Sequence, residues 1–411
     1  MKRLFRRLGP GARMALNLTG VNGIFWFAWA FGNYQNIYLQ EVGFTASELG
    51  VLNAIASAVG IASVAFWGMV SDRIGSVKKV LIAVLGGGAL LYGLVPLIPR
   101  GLPTTVLLLT IALPVVNFFR GSMSTFAENI LVRNSNELRL NYGLLRSIGS
   151  FLFTVGSLII SALLPFVGVE NTFWISGLLM LIPIGFAFFS RDPGTRRRKA
   201  QPAPQPQEKK KGGLHLGELF HNQAYVFFLV FAVFFYICTT CEANYIPYYM
   251  STIQVPSEQY GILMGYRALL EIPFLLLMVK LRRKFPLRIL VIFSPLLMAM
   301  ECLGFGLFAG NLPGMLVCCT FYGLGNGLFI GSSLNYLYEL APDHLKASAQ
   351  AFFVAVSSVA GILGNLLGGV FFDALGARLF YGLVGGLFLF SALIFVLSLL
   401  WERKRGAPQA A

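Results

Sequence analysis

Charged residues are scarce in this chain. Of its 411 residues only 12% are Asp, Glu, Lys or Arg, and 17 residues are acidic. Soluble domains carry about 25% charged residues, so a water-soluble globule is excluded. The hydrophobic content is 56%, with 37 Phe and 15 Tyr. That much apolar surface is not left in water, which excludes a disordered chain. Five scattered cysteines, an odd number in apolar segments, give no disulfide framework.

Long apolar runs dominate what is present. A helix needs about 20 apolar residues to cross a bilayer core of about 30 Å, and these runs are much longer than the ~10-residue alternating strands of a membrane barrel. The sequence therefore predicts an all-α membrane protein with twelve transmembrane helices, in contact with the lipid bilayer. The predicted spans are residues 18–40, 47–71, 78–98, 104–130, 142–165, 171–190, 222–250, 259–279, 288–309, 313–339, 348–372 and 376–401.

The positions of the basic residues predict the orientation of these spans. Of the 32 Lys and Arg residues, 27 lie in the terminal and connecting segments of one side, two on the other side and three inside spans. Basic residues near span ends stay in the cytoplasm, so both termini are expected there. We expect a multi-pass protein of the plasma membrane, in bacteria the inner membrane. The same distribution accounts for most of the net charge of +15 without a nucleic-acid partner.

A basic, proline-rich segment divides the chain into two halves. Runs of Arg and Lys flank Gln201-Pro-Ala-Pro-Gln-Pro206, a composition that does not form a packed helix. The predicted organisation is a six-helix bundle at 1–190, a cytoplasmic linker at 191–221, a second six-helix bundle at 222–402 and a tail at 403–411.

The two halves are weakly similar to each other at an offset of about 210 residues. Asn33-Tyr34 near the end of the first span recurs as Asn244-Tyr245 in the seventh, and Glu128 of the fourth span falls opposite Glu339 of the tenth. Each match alone is weak, but their common offset is what an internal repeat produces in transporters.

One motif lies at the junction of the second and third spans. The segment from Gly68 to Lys79 reads Gly-Met-Val-Ser-Asp-Arg-Ile-Gly-Ser-Val-Lys-Lys. It resembles the Gly-x-x-x-Asp-Arg-x-Gly-basic signature of the major facilitator superfamily, and the twelve spans and the basic central linker agree with that resemblance along the whole chain. The resemblance implies two pseudo-symmetric bundles and a gating role for the motif, whose main residues are Gly68, Asp72, Arg73, Gly75 and Lys78. Gly68 is expected to let two helices touch, and Gly75 to permit a tight turn.

Within the superfamily, the chain is most similar to the lactose permease-like proton symporters of sugars and nucleosides. In that branch a glutamate of the fourth span and an arginine of the fifth hold the sugar, which implies this role for Glu128 and Arg146. Glu271 and Glu242 resemble acidic positions of the eighth and seventh spans. The chain departs from the branch at Phe321-Tyr-Gly-Leu-Gly-Asn-Gly327, where the tenth span has neither the histidine nor the glutamate used for proton coupling.

Charges inside the predicted spans mark candidate sites without reference to any family, because such charges are costly and usually face a cavity. Arg120, Ser124 and Glu128 form one polar stripe on the fourth span, and Arg267 and Glu271 are spaced to pair on the eighth. The predicted substrate-binding residues are Glu128, Arg146, Glu271, Asn33, Tyr34, Trp26, Asn244, Tyr245, Tyr248 and Asn326. The predicted proton-coupling residues are Glu128, Glu242 and Glu271. Glu301 of the ninth span has no assigned role.

These features predict a secondary active transporter that works as a monomer by alternating access, and not an enzyme. Its partners would be a small polar solute, of the sugar or nucleoside type, and protons, with sodium as the alternative coupling ion. No ATP-binding or metal-binding pattern is present in the sequence, so no cofactor is expected. Two other functions stay open: a proton-coupled exporter of amphipathic drugs, and an uncoupled membrane receptor or lipid-handling protein.

Overall fold

The computed structural model describes residues 10–140, 142–192 and 216–404, and the regular structure of these residues is helical. The predicted linker falls mostly outside the described residues, as do the N-terminal nine residues and the tail from 405 onward. The α-helices are Pro10–Gly32, Gln35–Val42, Ala46–Ile74, Val77–Leu94, Thr105–Leu138, Tyr142–Val167, Asn171–Phe189, Leu216–His221, Gln223–Asn244, Ile246–Thr252, Tyr260–Lys284, Leu287–Leu307, Leu312–Leu340, Lys346–Leu375 and Ala377–Lys404. Short 3₁₀ turns lie at Val95–Leu97, Ser257–Gln259 and Asp343–Leu345.

The described residues contain twelve segments long and apolar enough to cross a membrane, which confirms the predicted number of spans. They are Met14–Val42, Ala46–Ile74, Val77–Leu97, Thr105–Leu138, Tyr142–Val167, Asn171–Phe189, Gln223–Asn244, Ser257–Met278, Leu287–Leu307, Leu312–Leu340, Asp343–Leu375 and Ala377–Trp401. The largest difference is at the fourth span, whose helix continues to Leu138 instead of ending near residue 130. The added turns are polar and extend past the apolar segment.

The first and seventh helices are each interrupted at the repeated Asn-Tyr pair, although the sequence analysis predicts each as continuous. The first helix stops at Gly32 and restarts at Gln35. The seventh stops at Asn244 and restarts at Ile246. In the seventh, Pro247 has no N–H to donate to the carbonyl of the preceding turn, which explains the interruption. In the first, the Gly32-Asn33 sequence has low helix propensity.

The described residues fold into two compact units. The first contains residues 10–44, 55–192 and 257–269, and the second contains residues 45–54, 216–256 and 270–404. Residues 45–54, at the start of the second span, therefore belong to the second unit, and residues 257–269, at the start of the eighth span, belong to the first. The division at the linker stays a prediction.

Local contacts explain why these two segments join the units they do. In the second unit, the N–H and hydroxyl of Ser47 both donate to Oδ2 of Asp373, at 2.8 and 2.5 Å. In the first unit, the hydroxyl of Thr154 donates to the carbonyl of Gly265 at 3.2 Å. Both contacts join helices that are far apart in the sequence.

The helix packing inside the two units follows the same pattern. In the first unit the first span packs on the fifth and sixth, and the third packs on the fourth and sixth. In the second unit the seventh span packs on the eleventh and twelfth, and the ninth packs on the tenth and twelfth. Adding six to each span number converts one set of pairs into the other. This packing agrees with the internal repeat indicated by the sequence.

Close packing in the first unit depends on Gly156 of the fifth span. A Cβ there would lie 2.8 Å from the carbonyl oxygen of Phe27, a backbone atom that cannot move aside easily. We expect Gly156→Ala to lower the free energy of unfolding by about 1–3 kcal/mol, the usual cost of overpacking. The measurement is the melting temperature of the purified protein. Gly185→Ala is the matched control, since a Cβ at Gly185 meets nothing within 4 Å. Equal melting temperatures for the two variants would contradict the packing assigned to Gly156.

Candidate functional site

The fourth and fifth spans bring Glu128 and Arg146 together in the first unit. Nε of Arg146 lies 3.5 Å from Oε1 of Glu128. The side chain of Arg146 is 27% exposed and that of Glu128 is 45% exposed, although both residues belong to membrane-spanning helices. Charged side chains within spans usually pair with one another and face the bundle interior or a water-filled cavity.

Tyr142 completes this group from the first turn of the fifth span. Its hydroxyl donates a hydrogen bond of 2.6 Å to Oε1 of Glu128. Tyr142 lies four residues before Arg146, so both side chains emerge on the same face of the helix. The sequence analysis did not select Tyr142, and its spacing from Arg146 was the available signal.

The first span supports the pair from the other side. The guanidinium carbon of Arg146 lies 4.8 Å from the centre of the Trp26 ring, a cation–π distance. Nη1 of Arg146 donates to the hydroxyl of Ser150 at 3.3 Å. One face of Trp26 is therefore covered by Arg146, and contact of this ring with a substrate stays a prediction.

A glycine and an asparagine hold the fifth span against the first at this point. A Cβ at Gly149 would lie 2.6 Å from Nδ2 of Asn22 and 2.7 Å from Cδ1 of Trp26. Nδ2 of Asn22 donates to the carbonyl of Leu145 at 3.0 Å. The backbone of the fifth span is thus fixed next to Arg146, which favours a well-defined position for its side chain.

The pair retains hydrogen-bonding capacity for a ligand. Within the part of the chain that the structure describes, the hydrogen bonds of this group involve Oε1 of Glu128 and Nη1 of Arg146, and the ion pair joins Nε to the same Oε1. Oε2 of Glu128 and Nη2 of Arg146 form no hydrogen bond to a described residue. A carboxylate oxygen accepts and a guanidinium nitrogen donates, so the group retains an acceptor on Glu128 and a donor on Arg146.

A second polar group lies in the second unit, where the eighth and tenth spans meet. Nδ2 of Asn326 donates to Oε1 of Glu271 at 2.7 Å, and both residues are half-buried. A Cβ at Gly327 would lie 3.1 Å from the carbonyl of Glu271, so this glycine allows the two helices to approach closely. The structure thus brings together two residues that the sequence analysis selected separately.

Three tyrosines predicted to bind substrate are buried, and their contact with substrate stays a prediction. Tyr34 accepts from the N–H of Gly261 at 2.9 Å and donates to the carbonyl of Glu258. Tyr245 donates to the carbonyl of Asn365 at 2.8 Å, and Tyr248 donates to that of Thr45 at 3.4 Å. These hydroxyls are used by backbone groups, so the tyrosines connect helices in their own units.

The remaining predicted residues differ in their exposure. Asn33 is half-buried, and so is Asn244, which donates to the side-chain oxygen of Asn365 at 2.7 Å. Glu242 is fully buried, unlike Glu128 and Glu271. Substrate contact stays a prediction for the two asparagines, as does proton coupling for Glu242.

Arg120 does not continue the polar stripe of the fourth span into the site. It is buried, with its guanidinium carbon 3.7 Å from the centre of the Tyr92 ring and 4.6 Å from that of Trp29. Nη1 donates to Oε1 of Gln35 at 3.5 Å. The aromatic rings enclose this cation inside the first unit, so it has a packing role there.

The motif between the second and third spans forms a tight turn. Gly75 has φ +69° and its N–H donates to the carbonyl of Ser71 at 2.8 Å, which confirms the predicted turn. Ser76 caps the third span by accepting from the N–H of Lys79 at 3.1 Å. Nζ of Lys78 donates to the carbonyls of Phe188 and Ser190, at 2.5 and 3.0 Å, and so satisfies the C-terminal end of the sixth span.

One expectation about the same motif differs from the structure. At Gly68 an added Cβ would meet no heavy atom within 4 Å, so the predicted close helix contact is not present there. Asp72 and Arg73 are both exposed. The motif is thus held in place through Gly75, Ser76 and Lys78.

A sequence profile of the MFS_1-like family matches residues 24–383, most of the chain. The chain belongs to the MFS_1-like family. Two similar proteins are each 23% identical in sequence to this chain. One is the uncharacterized transporter YwbF of Bacillus subtilis, matched over 85% of this chain and 84% of the relative. The other is the maltose permease of Geobacillus stearothermophilus, matched over 91% of each chain.

A solved structure confirms the fold of this MFS_1-like protein. The crystal structure of the nucleoside transporter NupG superposes with a TM-score of 0.76 at 15% identity, covering 94% of this chain and 99% of NupG. At that identity the likeness establishes the fold alone. The protein is a major facilitator superfamily transporter with twelve membrane-spanning helices, as the sequence predicts.

Proposed function

We propose that this protein is a secondary active transporter that moves a sugar or nucleoside across the membrane by alternating access. The observation that carries the proposal is the accessible Glu128–Arg146 pair inside two spans. Charged side chains inside membrane spans are costly and usually face the bundle interior or a water-filled cavity. This pair is partly exposed and keeps a donor and an acceptor for a ligand.

The free atoms of the pair favour a solute with neighbouring hydroxyl groups. A hydroxyl both donates and accepts, so one hydroxyl can donate to Oε2 of Glu128 while its neighbour accepts from Nη2 of Arg146. Sugars and the ribose of nucleosides carry such pairs of hydroxyls. The names of the similar maltose permease and nucleoside transporter support the same class of substrate.

For coupling, we propose that Glu271 takes up and releases the driving proton. Glu271 is half-buried, and its hydrogen bond to the Asn326 amide gives it a fixed position. Because the tenth span lacks histidine in its Phe321–Gly327 segment, a carboxylate is the group able to carry a proton at this place. Sodium is the alternative ion. The proposed orientation has both termini in the cytoplasm, and the proposed functional unit is the monomer.

A thermal-shift screen of the purified protein tests the substrate class. The panel is maltose, xylose, uridine, citrate and a lipophilic cation such as tetraphenylphosphonium. A ligand at 100 times its Kd stabilises the folded state by about 2.7 kcal/mol, so a sugar or uridine should raise the melting temperature. If citrate or the cation alone raises it, the proposed substrate class is wrong.

We also propose that the Gly68–Lys79 motif controls the rate of the conformational change and not the affinity. Asp72 is exposed and distant in sequence from the site residues. We expect Asp72→Ala to lower the turnover rate of uptake several-fold with Kd unchanged. Uptake rates in proteoliposomes and binding in detergent measure the two quantities separately. A loss of affinity with a normal turnover rate would contradict this role.

A further inference from the structure

The carboxylate of Glu128 receives two contacts on the same oxygen. The Tyr142 hydroxyl donates to Oε1 at 2.6 Å, and Nε of Arg146 faces the same Oε1 at 3.5 Å. At 2.6 Å the tyrosine contact is a short hydrogen bond to a charged acceptor, the stronger class of hydrogen bond. Oε1 is thus held by two groups, while Oε2 makes no hydrogen bond to a described residue.

Holding one oxygen of a carboxylate determines where the other points. A glutamate side chain has three rotatable bonds, and its terminal torsion is broad when nothing restrains it. At 3.5 Å, the Arg146 contact alone leaves the carboxylate plane free to rotate. The Tyr142 hydrogen bond adds a second, shorter contact that restrains this plane, so that one carboxylate oxygen faces the protein and the other is left for the ligand.

We propose that Tyr142 is a positioning residue of the substrate site, which orients Glu128 so that Oε2 and the Arg146 guanidinium receive neighbouring hydroxyls of the solute together. This inference rests on the proposed function and adds a residue and a role to it. Tyr142 acts through Glu128. Because the hydrogen bond from Tyr142 restrains the Glu128 side chain before the ligand binds, it lowers the entropic cost of binding.

Tyr142→Phe tests the role, because it removes the hydroxyl and keeps the ring. Losing one hydrogen bond to a charged group that orders the site should weaken binding about tenfold. The probes are maltose and uridine, each titrated against the purified full-length protein by calorimetry. The melting temperature without ligand reports whether the variant is folded.

Tyr338→Phe is the matched control. The Tyr338 hydroxyl also donates a 2.6 Å hydrogen bond to a side chain, in this case Oε1 of Gln350, and it belongs to the tenth span. The control loses a hydrogen bond of the same length that involves neither Glu128 nor Arg146. We expect its Kd to equal that of the wild type. A tenfold loss in Tyr142→Phe with no loss in the control supports positioning, and equal Kd values in both variants and the wild type overturn it.

A ligand-independent measurement separates this inference from the proposed function. Infrared difference spectra between the wild type and Glu128→Gln isolate the carboxylate band of Glu128. The frequency of that band should shift in Tyr142→Phe, because Glu128 no longer accepts the hydrogen bond from the tyrosine hydroxyl. It should not shift in Tyr338→Phe. If neither maltose nor uridine binds the wild type, the proposed substrate class is wrong. The infrared band of Glu128 is then the measurement that tests the positioning role of Tyr142. An unshifted band overturns the positioning role.

Discussion

Replacing Arg146 by alanine is expected to abolish measurable substrate binding while leaving a folded protein. The substitution removes the donor offered to the solute, and it also removes the cation that faces Glu128 and stacks on Trp26. A ligand would then bind next to a carboxylate without its counter-charge, and leaving a charged group unsatisfied is expensive. We expect Kd to rise at least about 100-fold, the effect of about 2.8 kcal/mol.

Two further variants sharpen this prediction. Arg146→Lys keeps the charge but loses the planar fork of the guanidinium, so its affinity should lie between those of the wild type and Arg146→Ala. Arg283→Ala removes an exposed arginine at the end of the eighth helix and is the control with normal affinity. Titration of the same ligand against all four proteins gives the ranking. Wild-type affinity in Arg146→Ala would refute the binding role of this residue.

Replacing Glu271 by glutamine is expected to uncouple transport from the proton gradient. A glutamine has the shape of glutamate and can still contact Asn326, but it cannot take up or release a proton. With one proton per solute, a gradient of one pH unit supports about tenfold accumulation, because each pH unit is worth about 1.4 kcal/mol. In the variant the internal and external concentrations should become equal.

Proteoliposomes with an imposed pH gradient provide the measurement. Glu339→Gln is the matched control, since it makes the same chemical change at an exposed residue near the end of the tenth span, and it should accumulate solute like the wild type. Equilibrative uptake should persist in Glu271→Gln, which shows that the protein is folded and binds solute. Proton-driven accumulation at the wild-type level in Glu271→Gln would exclude this carboxylate as the coupling group.

Span number and type are predictable from this sequence because hydropathy and chain length determine them. A segment such as Val77–Leu97 has no stable alternative to a membrane helix, since every backbone polar group must be satisfied within lipid. The repeated Asn-Tyr pair correctly indicated the internal repeat. Its structural consequence, the interruption of the first and seventh helices, depends on local proline and glycine chemistry that hydropathy does not report.

The site is only partly predictable, because a polar residue in a span can either contact a ligand or hydrogen-bond to another helix. The cost of a charge inside a span marked Glu128 and Arg146 as candidates, and the resemblance to the lactose permease-like branch implied that they act together. Tyr34 and Tyr245 are amphipathic, and their hydroxyls bind backbone groups of other helices as readily as a ligand. That choice depends on tertiary packing. The same is true of Arg120, whose aromatic surroundings come from two other spans.

We propose that the Glu128–Arg146 pair holds the solute through its free acceptor and donor. An experimental structure of the wild-type protein with a ligand identified in the thermal-shift screen would show whether it does. We expect neighbouring hydroxyls of the ligand within hydrogen-bond distance of Oε2 of Glu128 and Nη2 of Arg146, with the Tyr142 hydrogen bond intact. A ligand bound elsewhere, with the pair unchanged and out of contact, would contradict it.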